Sequence, residues 1–486
     1  MIVGIDIGTQ SLKAVVTRDD LSVAGEGSVP YGVDHPRPGW AQQDPKVWEQ
    51  ALAPAIAQAL ELAGARATVV RAVGVSGQLD GCVAVDGEGE PLGPCLIWMD
   101  RRADRSLPDV SPEQFRSLTG QVADATHMAA KIRWLNKNAI GLDRARFHQP
   151  VSYLVERLTG EFVFDHGLAS TTMLYDLGAR DLSTELLDAF GVSRESLPRI
   201  ARATDRAGVI SVAGSALCGL PAGIPVAVGT GDDFATPLGA GVIAPGQAVC
   251  VIGTAEVVGA LSTAMVLDAG GLVETHGYVN DCFFVENPGW LSGGAMTWLC
   301  QLIGADSFDA LDQLGATAPP GSGGVLFLPT LSGAMTPEWN SAATGCIFGL
   351  TPAHGRGHLV RAAMEGCAFA MRDVINRIAE LGVPVDSVLL LGGGSRSAIW
   401  PGIRADVLGR PVDIAETPDT CPVGAAMLAA VAGGVHADLS SCARSVRSRR
   451  RRIEPELEHR ALLDEAHGAY RELYSSLRQM WATRRV

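Results

Sequence analysis

The hydrophobic pattern opens with two apolar stretches joined by a short polar turn. Residues 3–7 form the first stretch, residues 12–16 form the second, and the turn between them begins with Gly8-Thr9. A glycine in such a turn allows backbone N–H groups and a neighbouring hydroxyl to approach a ligand closely. The pattern therefore predicts a β-hairpin whose turn binds a ligand.

A similar pattern returns half-way along the chain. Residues 248–252 and 255–261 are again mostly apolar, and Gly253-Thr254 stands between them. Two such hairpins in one chain predict two related lobes that hold a phosphate tail between them. We therefore expect an ATP-driven enzyme with a cleft.

Strand and helix patterns alternate in both halves of the chain, which favours an α/β fold with two mixed sheets flanked by helices. We place the boundary at Ala244-Pro245-Gly246, because the pattern restarts there. The expected domains are therefore 1–243 and 244–486. Helical spacing is predicted for residues 48–63, 131–136, 151–159, 358–381 and about 459–482, and strands for 69–75, 82–85, 221–229 and 387–391.

Composition narrows the function classes. With 486 residues the chain is too long for one core, and its net charge of −14 argues against nucleic-acid or lipid partners. The first residues already have a core-strand pattern and no apolar run reaches 18 residues, so no signal segment and no membrane span are expected.

Ten cysteines without a CxxC pair favour reduced core residues of a cytoplasmic protein over disulfides or a metal site. The basic run at 447–452 is expected to be solvated.

Two carboxylate positions carry candidate chemistry. Asp6 ends a buried strand beside the first turn, where it could hold Mg²⁺; the alternative is a carboxylate that caps the turn. Asp232 and Asp233 follow Gly229-Thr230-Gly231, where one carboxylate could accept the proton of a substrate hydroxyl. An ordinary turn or a helix N-cap is the alternative for this pair.

Two further segments fit a nucleotide and a polyhydroxy ligand. Gly392-Gly393-Gly394-Ser395 lies between a strand and a helix, and such a turn lets a flat nucleotide lie on the backbone. Neither GxxxxGK[ST] nor GxGxxG occurs, which argues against P-loop and Rossmann sites. Gln78-Leu79-Asp80 and Trp98-Met99-Asp100-Arg101 follow apolar strands and could contact a sugar, or could be salt-bridged loop residues.

These runs, in this order, resemble the FGGY family of carbohydrate kinases, and within it the xylulokinase branch. The most specific element is Gly345-Cys346-Ile347-Phe348-Gly349-Leu350, followed after seven residues by 358–365 (HLVRAAME). The run GGGSRSAIW at 392–400 is similar to the adenosine loop of the family. The resemblance covers nearly the whole chain and implies two ribonuclease-H-like lobes of the actin and hexokinase type with a central cleft.

The resemblance also implies roles for matching residues. Asp232 is expected to be the catalytic base, and Asp6 the carboxylate associated with Mg²⁺. Substrate-facing positions are Leu79, Asp80, Asp100 and Asp233. Positions that contact the phosphates or the nucleoside of ATP are Thr9, Lys13, Gly253, Thr254, Gly293, Thr297, Gly393, Gly394 and Ser397.

Departures from the family pattern concentrate on the sugar side. A QMHG run is here Gln78-Leu79-Asp80-Gly81, so an acceptor-only carboxylate replaces an imidazole that can donate to a ketose carbonyl. The WND run of the family corresponds to Trp98-Met99-Asp100 in this chain, which loses an amide. The SGERTP run of the family corresponds to SGAMTP at 332–337, which loses two charges. Asp233 stands where xylulokinases usually have Asn.

The leading hypothesis is a cytoplasmic Mg-ATP-dependent kinase that phosphorylates a primary hydroxyl of a small sugar, with D-xylulose giving D-xylulose 5-phosphate as the first case. Closure of the lobes would exclude water from the reaction. A kinase for another ketose or for a four- or five-carbon polyol is the alternative that Asp80 favours. A non-catalytic nucleotide switch of the actin or chaperone type is a third hypothesis. Dimers are common among similar kinases, so a homodimer is an expectation of the resemblance.

Overall fold

The computed structural model describes residues 1–138, 142, 144–415, 419–447 and 450–483. The strands, in chain order, are β1 (Ile2–Ile7), β2 (Ser11–Thr17), β3 (Val23–Pro30), β4 (Gln42–Gln43), β5 (Ala72–Gly77), β6 (Val83–Val85), β7 (Cys95–Leu96), β8 (Arg146–His148), β9 (Val163–Asp165), β10 (Tyr175–Asp176), β11 (Asp181–Leu182), β12 (Arg199–Ala201), β13 (Arg206–Val209), β14 (Pro225–Ala227), β15 (Thr230–Gly231), β16 (Gly246–Ile252), β17 (Ala255–Ser262), β18 (Glu274–Gly277), β19 (Phe283–Leu291), β20 (Leu326–Leu328), β21 (Cys346–Phe348), β22 (Val385–Leu391), β23 (Val412–Ala415) and β24 (Arg450–Ile453). The α-helices are α1 (Pro45–Leu62), α2 (Pro112–Thr119), α3 (Met128–Asn138), α4 (Pro150–Thr159), α5 (His166–Ser170), α6 (Thr184–Phe190), α7 (Val212–Cys218), α8 (Asp232–Gly239), α9 (Gly293–Ile303), α10 (Phe308–Gly315), α11 (Arg356–Glu380), α12 (Trp400–Leu408), α13 (Cys421–Ala432), α14 (Leu439–Arg447) and α15 (Arg460–Thr483).

The chain forms two compact units, and neither is continuous in sequence. The first unit comprises Met1–Ile243, Thr275–Phe283 and Asp419–Ser448. The second comprises Ala244–Glu274, Phe284–Pro418 and Arg449–Val486. The first unit thus includes two late segments that a division of the sequence into 1–243 and 244–486 leaves in the second half.

The first unit is built on a mixed sheet with the hydrogen-bonded order β13-β14-β5-β1-β2-β3. β1 pairs antiparallel with β2 and parallel with β5, which places Asp6 opposite Lys13 on one side and Ser76 on the other. All six residues of β1 are buried, so the sheet carries core on both faces at this strand. The polar residues at the ends of β1 and β5 therefore come together at one edge of the sheet.

Helix α13 lies directly on β1 and β5, because glycines in both strands allow its backbone to approach. A Cβ added at Gly4 would stand 1.9 Å from the Pro422 carbonyl oxygen, and one added at Gly74 would stand 2.0 Å from that of Ala425. Gly424 of α13 similarly approaches the Ala235 carbonyl of α8. This packing holds the N-terminal ends of α8 and α13 next to the end of β1.

The second unit repeats the arrangement around its own hairpin. Its sheet has the order β19-β17-β16-β22-β23-β24, in which β16 is antiparallel to β17 and parallel to β22. Helix α11 is the longest in the described part of the chain and contributes many residues to the core of this unit. The prediction of an α/β fold with mixed sheets and paired Gly-Thr hairpins is confirmed.

Two segments differ from their sequence patterns. Part of the basic run forms strand β24, which its sequence pattern did not predict. The Arg451 and Arg452 side chains are exposed as expected, and Arg452 also pairs with the Asp413 carboxylate of β23 at 2.9 Å. Helix α13 has no predicted counterpart, since nearly all its residues are buried and it therefore lacks an amphipathic period.

No helix in the described ranges is long and apolar enough to span a membrane.

Candidate active site

Asp6 is a buried carboxylate at the end of β1. Its Oδ1 atom has no hydrogen-bond partner among the residues that the structure describes. Burial, followed by the charges of Asp232 and Asp419, raises the pKa of Asp6 to about 7, against the opposing effect of Lys13. An unsatisfied carboxylate oxygen beside two further carboxylates is a site that a cation would stabilise.

Asp419 and Cys421 complete this acidic cluster from the N-terminal end of α13. Asp419 forms an ion pair with Lys13, and the Cys421 thiol donates a hydrogen bond to Asp6. The hydroxyl of Ser76, which stands beside Asp6 in the sheet, donates to the Ile5 carbonyl at 3.0 Å and lies 3.3 Å from the Cys421 sulfur. Sequence reasoning missed Asp419. Its only local signal is an Asp next to the Thr-Cys-Pro that opens a helix.

The turn after β1 is held from three sides. The Tyr31 hydroxyl donates to the Gly8 carbonyl at 2.7 Å, and the Gln43 amide donates to the Thr9 carbonyl at 2.7 Å. The indole N–H of Trp98, whose side chain is exposed, donates to the Thr9 hydroxyl oxygen at 3.1 Å. The Thr9 hydroxyl keeps its own proton available as a donor. The candidate phosphate turn is thus fixed in one conformation.

Asp232 and Asp233 form the first turn of α8, directly after its N-cap residue Gly231, so neither of them is the N-cap. The Asp232 carboxylate accepts hydrogen bonds from the backbone N–H groups of Asp233, at 3.2 Å, and of Leu79. Burial raises the pKa of both side chains, and the Asp232 charge raises that of Asp233 further. Asp232 therefore ionises first, because the N–H donors and the helix dipole favour its charged form.

Asp80 is held rigidly next to this pair. Its backbone is left-handed, with φ of 60°, and its N–H donates to Gln149 Oε1 at 2.9 Å. The buried ammonium of Lys131 donates to its carbonyl oxygen at 2.7 Å. His127 Nδ1 lies 3.1 Å from Asp80 Oδ1, and since a carboxylate only accepts, the ring proton must be on Nδ1. The charge of Asp80 raises the pKa of both Asp232 and Asp233, which places it close to them.

The structure gives Asp100 a different environment from the other predicted sugar contacts. Asp100 is fully buried, and its carboxylate accepts from the Ala41 N–H at 2.7 Å and from the Arg102 guanidinium at 2.8 Å. Arg102 in turn stacks on Trp40, with 3.9 Å between the guanidinium carbon and the ring centroid. This matches the salt-bridged loop alternative. Leu79 instead packs on Gly231, next to Asp232.

The second hairpin turn contacts the start of α9. The N–H groups of Gly293 and Gly294 donate to the carbonyl oxygens of Gly253 and Thr254, at 3.1 and 3.0 Å. A Cβ at Gly293 would stand 2.2 Å from the Gly253 oxygen, so only glycine allows this approach. Thr297, one helical turn further, is exposed and donates to the Gly293 carbonyl at 3.0 Å. These four predicted nucleotide contacts therefore form one connected surface.

The glycine-rich loop follows β22 as predicted. Gly392 is left-handed, with φ of 80°, and the backbone around Gly393 leaves open space where a side chain would stand. Gly394 packs on Ile252. The Ser397 hydroxyl donates to Asp312 at 2.7 Å and accepts from the Trp400 N–H at 3.0 Å, so it also fixes the start of α12.

Within the first unit the structure brings together Asp6, Asp80, Asp232 and Asp233, with Lys13 and Asp419 at one end and His127 at the other. Such a set can accept a proton from a hydroxyl, hold a cation and bind further hydroxyls. Within the second unit the Gly253-Thr254 turn, the start of α9 and the glycine-rich loop are the segments predicted to contact phosphate and nucleoside groups.

Comparison with known proteins identifies the family to which the chain belongs. The model of the FGGY family of carbohydrate kinases, N-terminal domain, matches residues 1–239, and that of the C-terminal domain matches residues 248–433. The xylulose kinase of Escherichia coli (strain K12) is 29% identical over 99% of this chain and 100% of its own length. The glycerol kinase of Thermococcus onnurineus is 31% identical over 89% of each chain. The crystal structure of a xyloylose kinase from Brucella ovis superposes with a TM-score of 0.92, at 30% identity and 99% coverage of both chains.

Proposed function

Because this chain belongs to the FGGY family of carbohydrate kinases, we propose that it transfers the γ-phosphoryl group of ATP to a primary hydroxyl of a small sugar or polyol, with D-xylulose as the first candidate. Membership of the family makes it an ATP-dependent phosphotransferase. The observation that supports the proposal most directly is the half-buried acid pair at the start of α8 beside Asp80. The xylulose kinases among its full-length relatives favour D-xylulose.

In this proposal Asp232 is the catalytic base. It ionises before Asp233 and accepts the proton of the substrate hydroxyl as the oxygen attacks the γ-phosphorus. Asp233 keeps its proton to higher pH. A protonated carboxyl both donates and accepts a hydrogen bond, as an amide does, so Asp233 can serve a sugar hydroxyl where related kinases use Asn.

The residues present fit a divalent cation. Asp6 Oδ1 is buried without a partner in the described part of the chain, and Asp232 and Asp419 add negative charge beside it. We propose that Asp6, with Asp419, holds Mg²⁺ directly or through water. Bound there, Mg²⁺ would offset the negative charge of the transferring phosphoryl group. Thr9 and Lys13 are proposed phosphate contacts in the first unit.

The nucleotide contacts proposed in the second unit are its turn, the start of α9 and the glycine-rich loop. They comprise Gly253, Thr254, Gly293, Thr297, Gly393, Gly394 and Ser397. Localisation in the cytoplasm and assembly as a homodimer remain proposals of the family resemblance.

The base assignment is tested by Asp232→Asn. An amide cannot accept the hydroxyl proton, so kcat should fall by about 10²–10⁴-fold while KM for the sugar changes little. ADP release is measured in a coupled assay with and without sugar. Asp188→Asn, a change at an exposed position of α6, is the matched control and should keep full activity. Near-normal turnover of the Asp232 variant would refute the assignment.

A polyol kinase is the second candidate, and Asp80 favours it. The carboxylate is fixed by His127 through Oδ1, and Oδ2 can only accept, which suits a hydroxyl better than a ketose carbonyl. A panel of pentuloses, hexuloses and four- and five-carbon polyols decides between the candidates. The largest kcat/KM with D-xylulose supports the first candidate, and the largest with a polyol supports the second. Absence of sugar-dependent ADP release with every substrate would favour a non-catalytic nucleotide switch.

A further inference from the structure

Glu256 is a fully buried carboxylate two residues after Thr254 of the Gly253-Thr254 turn, and the proposed mechanism does not use it. Its two oxygens accept from the two terminal nitrogens of the Arg404 guanidinium, each at 2.6 Å. The Ser292 hydroxyl donates to Oε2 at 2.5 Å, and the Cys250 thiol donates to Oε1 at 3.1 Å. Both side chains of the ion pair are wholly inaccessible to solvent.

A buried ion pair is weak evidence for a purely stabilising role. The cost of removing two charges from water can exceed their attraction, and apolar residues of similar volume often replace such pairs without loss of stability. Arg404 Nε also lacks a hydrogen-bond partner among the described residues, which adds to the cost. The ion pair is therefore better explained by a role in holding neighbouring segments in position.

The carboxylate joins the hairpin to the start of α9. Ser292, which donates to Glu256, directly precedes Gly293. The N–H of Ser292 also donates to the Thr254 carbonyl at 3.2 Å. Rotation of the α9 end relative to the turn would break the Ser292 contact with Glu256. The Glu256 side chain therefore adds a further link to the three backbone hydrogen bonds that Ser292, Gly293 and Gly294 donate to the turn.

The guanidinium joins the same carboxylate to the glycine-rich loop. Arg404 stacks on Trp400, with 4.5 Å from its central carbon to the ring centroid. The Trp400 ring packs on Gly394, where an added Cβ would stand 3.2 Å from an indole carbon and 2.3 Å from the Ile252 side chain. The loop thus rests on a ring that the ion pair holds in place.

We propose that Glu256 is a positioning residue for the nucleotide. Through Ser292 and Arg404 it fixes the Gly253-Thr254 turn, the start of α9 and the glycine-rich loop relative to one another. The inference rests on the proposed function only in assigning these three segments to ATP. It concerns nucleotide affinity and is independent of which sugar is phosphorylated.

The second unit contains a chemically matched control. Glu365 of α11 is also a buried glutamate bonded to an arginine and a serine: Arg361 Nε donates to it at 2.9 Å, and the Ser322 hydroxyl at 2.7 Å. Its further partner is the Gly321 N–H, at 2.9 Å. None of these partners belongs to the three nucleotide segments. Loss of its charge should therefore affect stability alone.

The test compares Glu256→Gln with Glu365→Gln in ADP binding measured by calorimetry without sugar. We expect Glu256→Gln to raise the Kd for ADP by about tenfold or more, and Glu365→Gln to leave it within about twofold although both lower Tm. KM for ATP should rise in parallel for the Glu256 variant, while KM for the sugar is unchanged. An unchanged Kd for ADP in Glu256→Gln, or an equal rise in Glu365→Gln, overturns the proposal.

The double variant Glu256→Met with Arg404→Met separates positioning from stability, and it also decides the matter if Glu256→Gln does not fold. Removal of both charges should return Tm toward the wild-type value while the Kd for ADP stays high. Recovery of both quantities together overturns the proposal. Wild-type protein that binds ADP but phosphorylates nothing in the substrate panel contradicts the proposed function and leaves this inference standing.

Discussion

At the scale of single residues, the candidate site combines carboxylates that an ordinary protein interior would not tolerate. Buried Asp6 and half-buried Asp232 and Asp233 lie near one another, and the pKa of each is raised. Desolvation and mutual repulsion oppose their ionisation, so the ligand-free protein carries a cost that bound cations and substrate would relieve. Perturbed acids of this kind are typical of functional sites.

Asp6→Asn should make the protein more stable at high pH. An acid whose pKa is raised to about 7 binds its proton more tightly in the folded chain than in the unfolded one, so its destabilising effect grows as pH rises toward 7 and is complete above it. We expect the variant to gain about 1–3 kcal/mol in the free energy of unfolding at pH 8, and nothing near pH 4. Urea unfolding with EDTA and without nucleotide measures this. A variant less stable than the wild type at pH 8 would contradict the account.

Asp233→Asn should be tolerated, because a protonated carboxyl and an amide offer the same kinds of hydrogen bond. At pH 7 we expect kcat/KM within about threefold of the wild type. Above the raised pKa of Asp233 the wild-type enzyme should lose activity as this group ionises, whereas the variant should not. A pH profile of kcat/KM for both proteins is the measurement. A loss of activity in the variant comparable to that of Asp232→Asn would show that Asp233 acts as a base.

At the scale of secondary structure elements, the site depends on how closely α13 approaches β1 and β5. The helix brings Asp419 and Cys421 to Asp6, and it packs on α8, which carries Asp232. Its approach requires strand glycines, since a Cβ at Gly74 would overlap a helix carbonyl. The packing of this one helix on the sheet therefore determines how close the acidic side chains of α8 and of the α13 N-terminus lie to Asp6.

Gly74→Ala should destabilise the protein strongly. The added methyl group would stand 2.0 Å from the Ala425 carbonyl oxygen, which neither backbone can accommodate without a shift. We expect a loss of at least about 2 kcal/mol, measured as a lower Tm or as loss of soluble protein. Gly87→Ala is the matched control, because nothing lies within 4 Å of a Cβ at Gly87. Equal stability of the two variants would contradict the packing argument.

At the scale of the whole molecule, the compact units do not follow the order of the chain. The first unit needs the segments Thr275–Phe283 and Asp419–Ser448, which lie far beyond its main part in sequence. Tyr278 illustrates the dependence, because its hydroxyl donates to the carbonyl oxygens of Phe234 and Val242 at 3.2 and 3.0 Å. A cut between residues 243 and 244 therefore separates residues that share one core.

A fragment of residues 1–243 should not fold on its own. Without α13 the apolar surfaces of β1, β5 and α8 lose the helix that covers them. We expect no cooperative thermal transition by circular dichroism, in contrast to the full chain. Fusion of 1–243 to residues 419–447 through a Gly/Ser linker should restore part of the transition. A cooperative transition of the unfused fragment, with the stability of the full chain, would contradict this interpretation.

The sequence by itself determined that the chain has two Gly-Thr hairpins and an α/β fold, that it belongs to its family, and that two adjacent aspartates follow Gly231. These are short-range patterns, in which neighbouring residues and their spacing carry the information. Only the tertiary structure decided that Asp419 joins Lys13 across 406 residues, that His127 fixes Asp80, and that Glu256 meets Arg404. Contacts of that kind arise from the packing of distant segments, and a fully buried helix such as α13 shows no amphipathic period from which its place could be read.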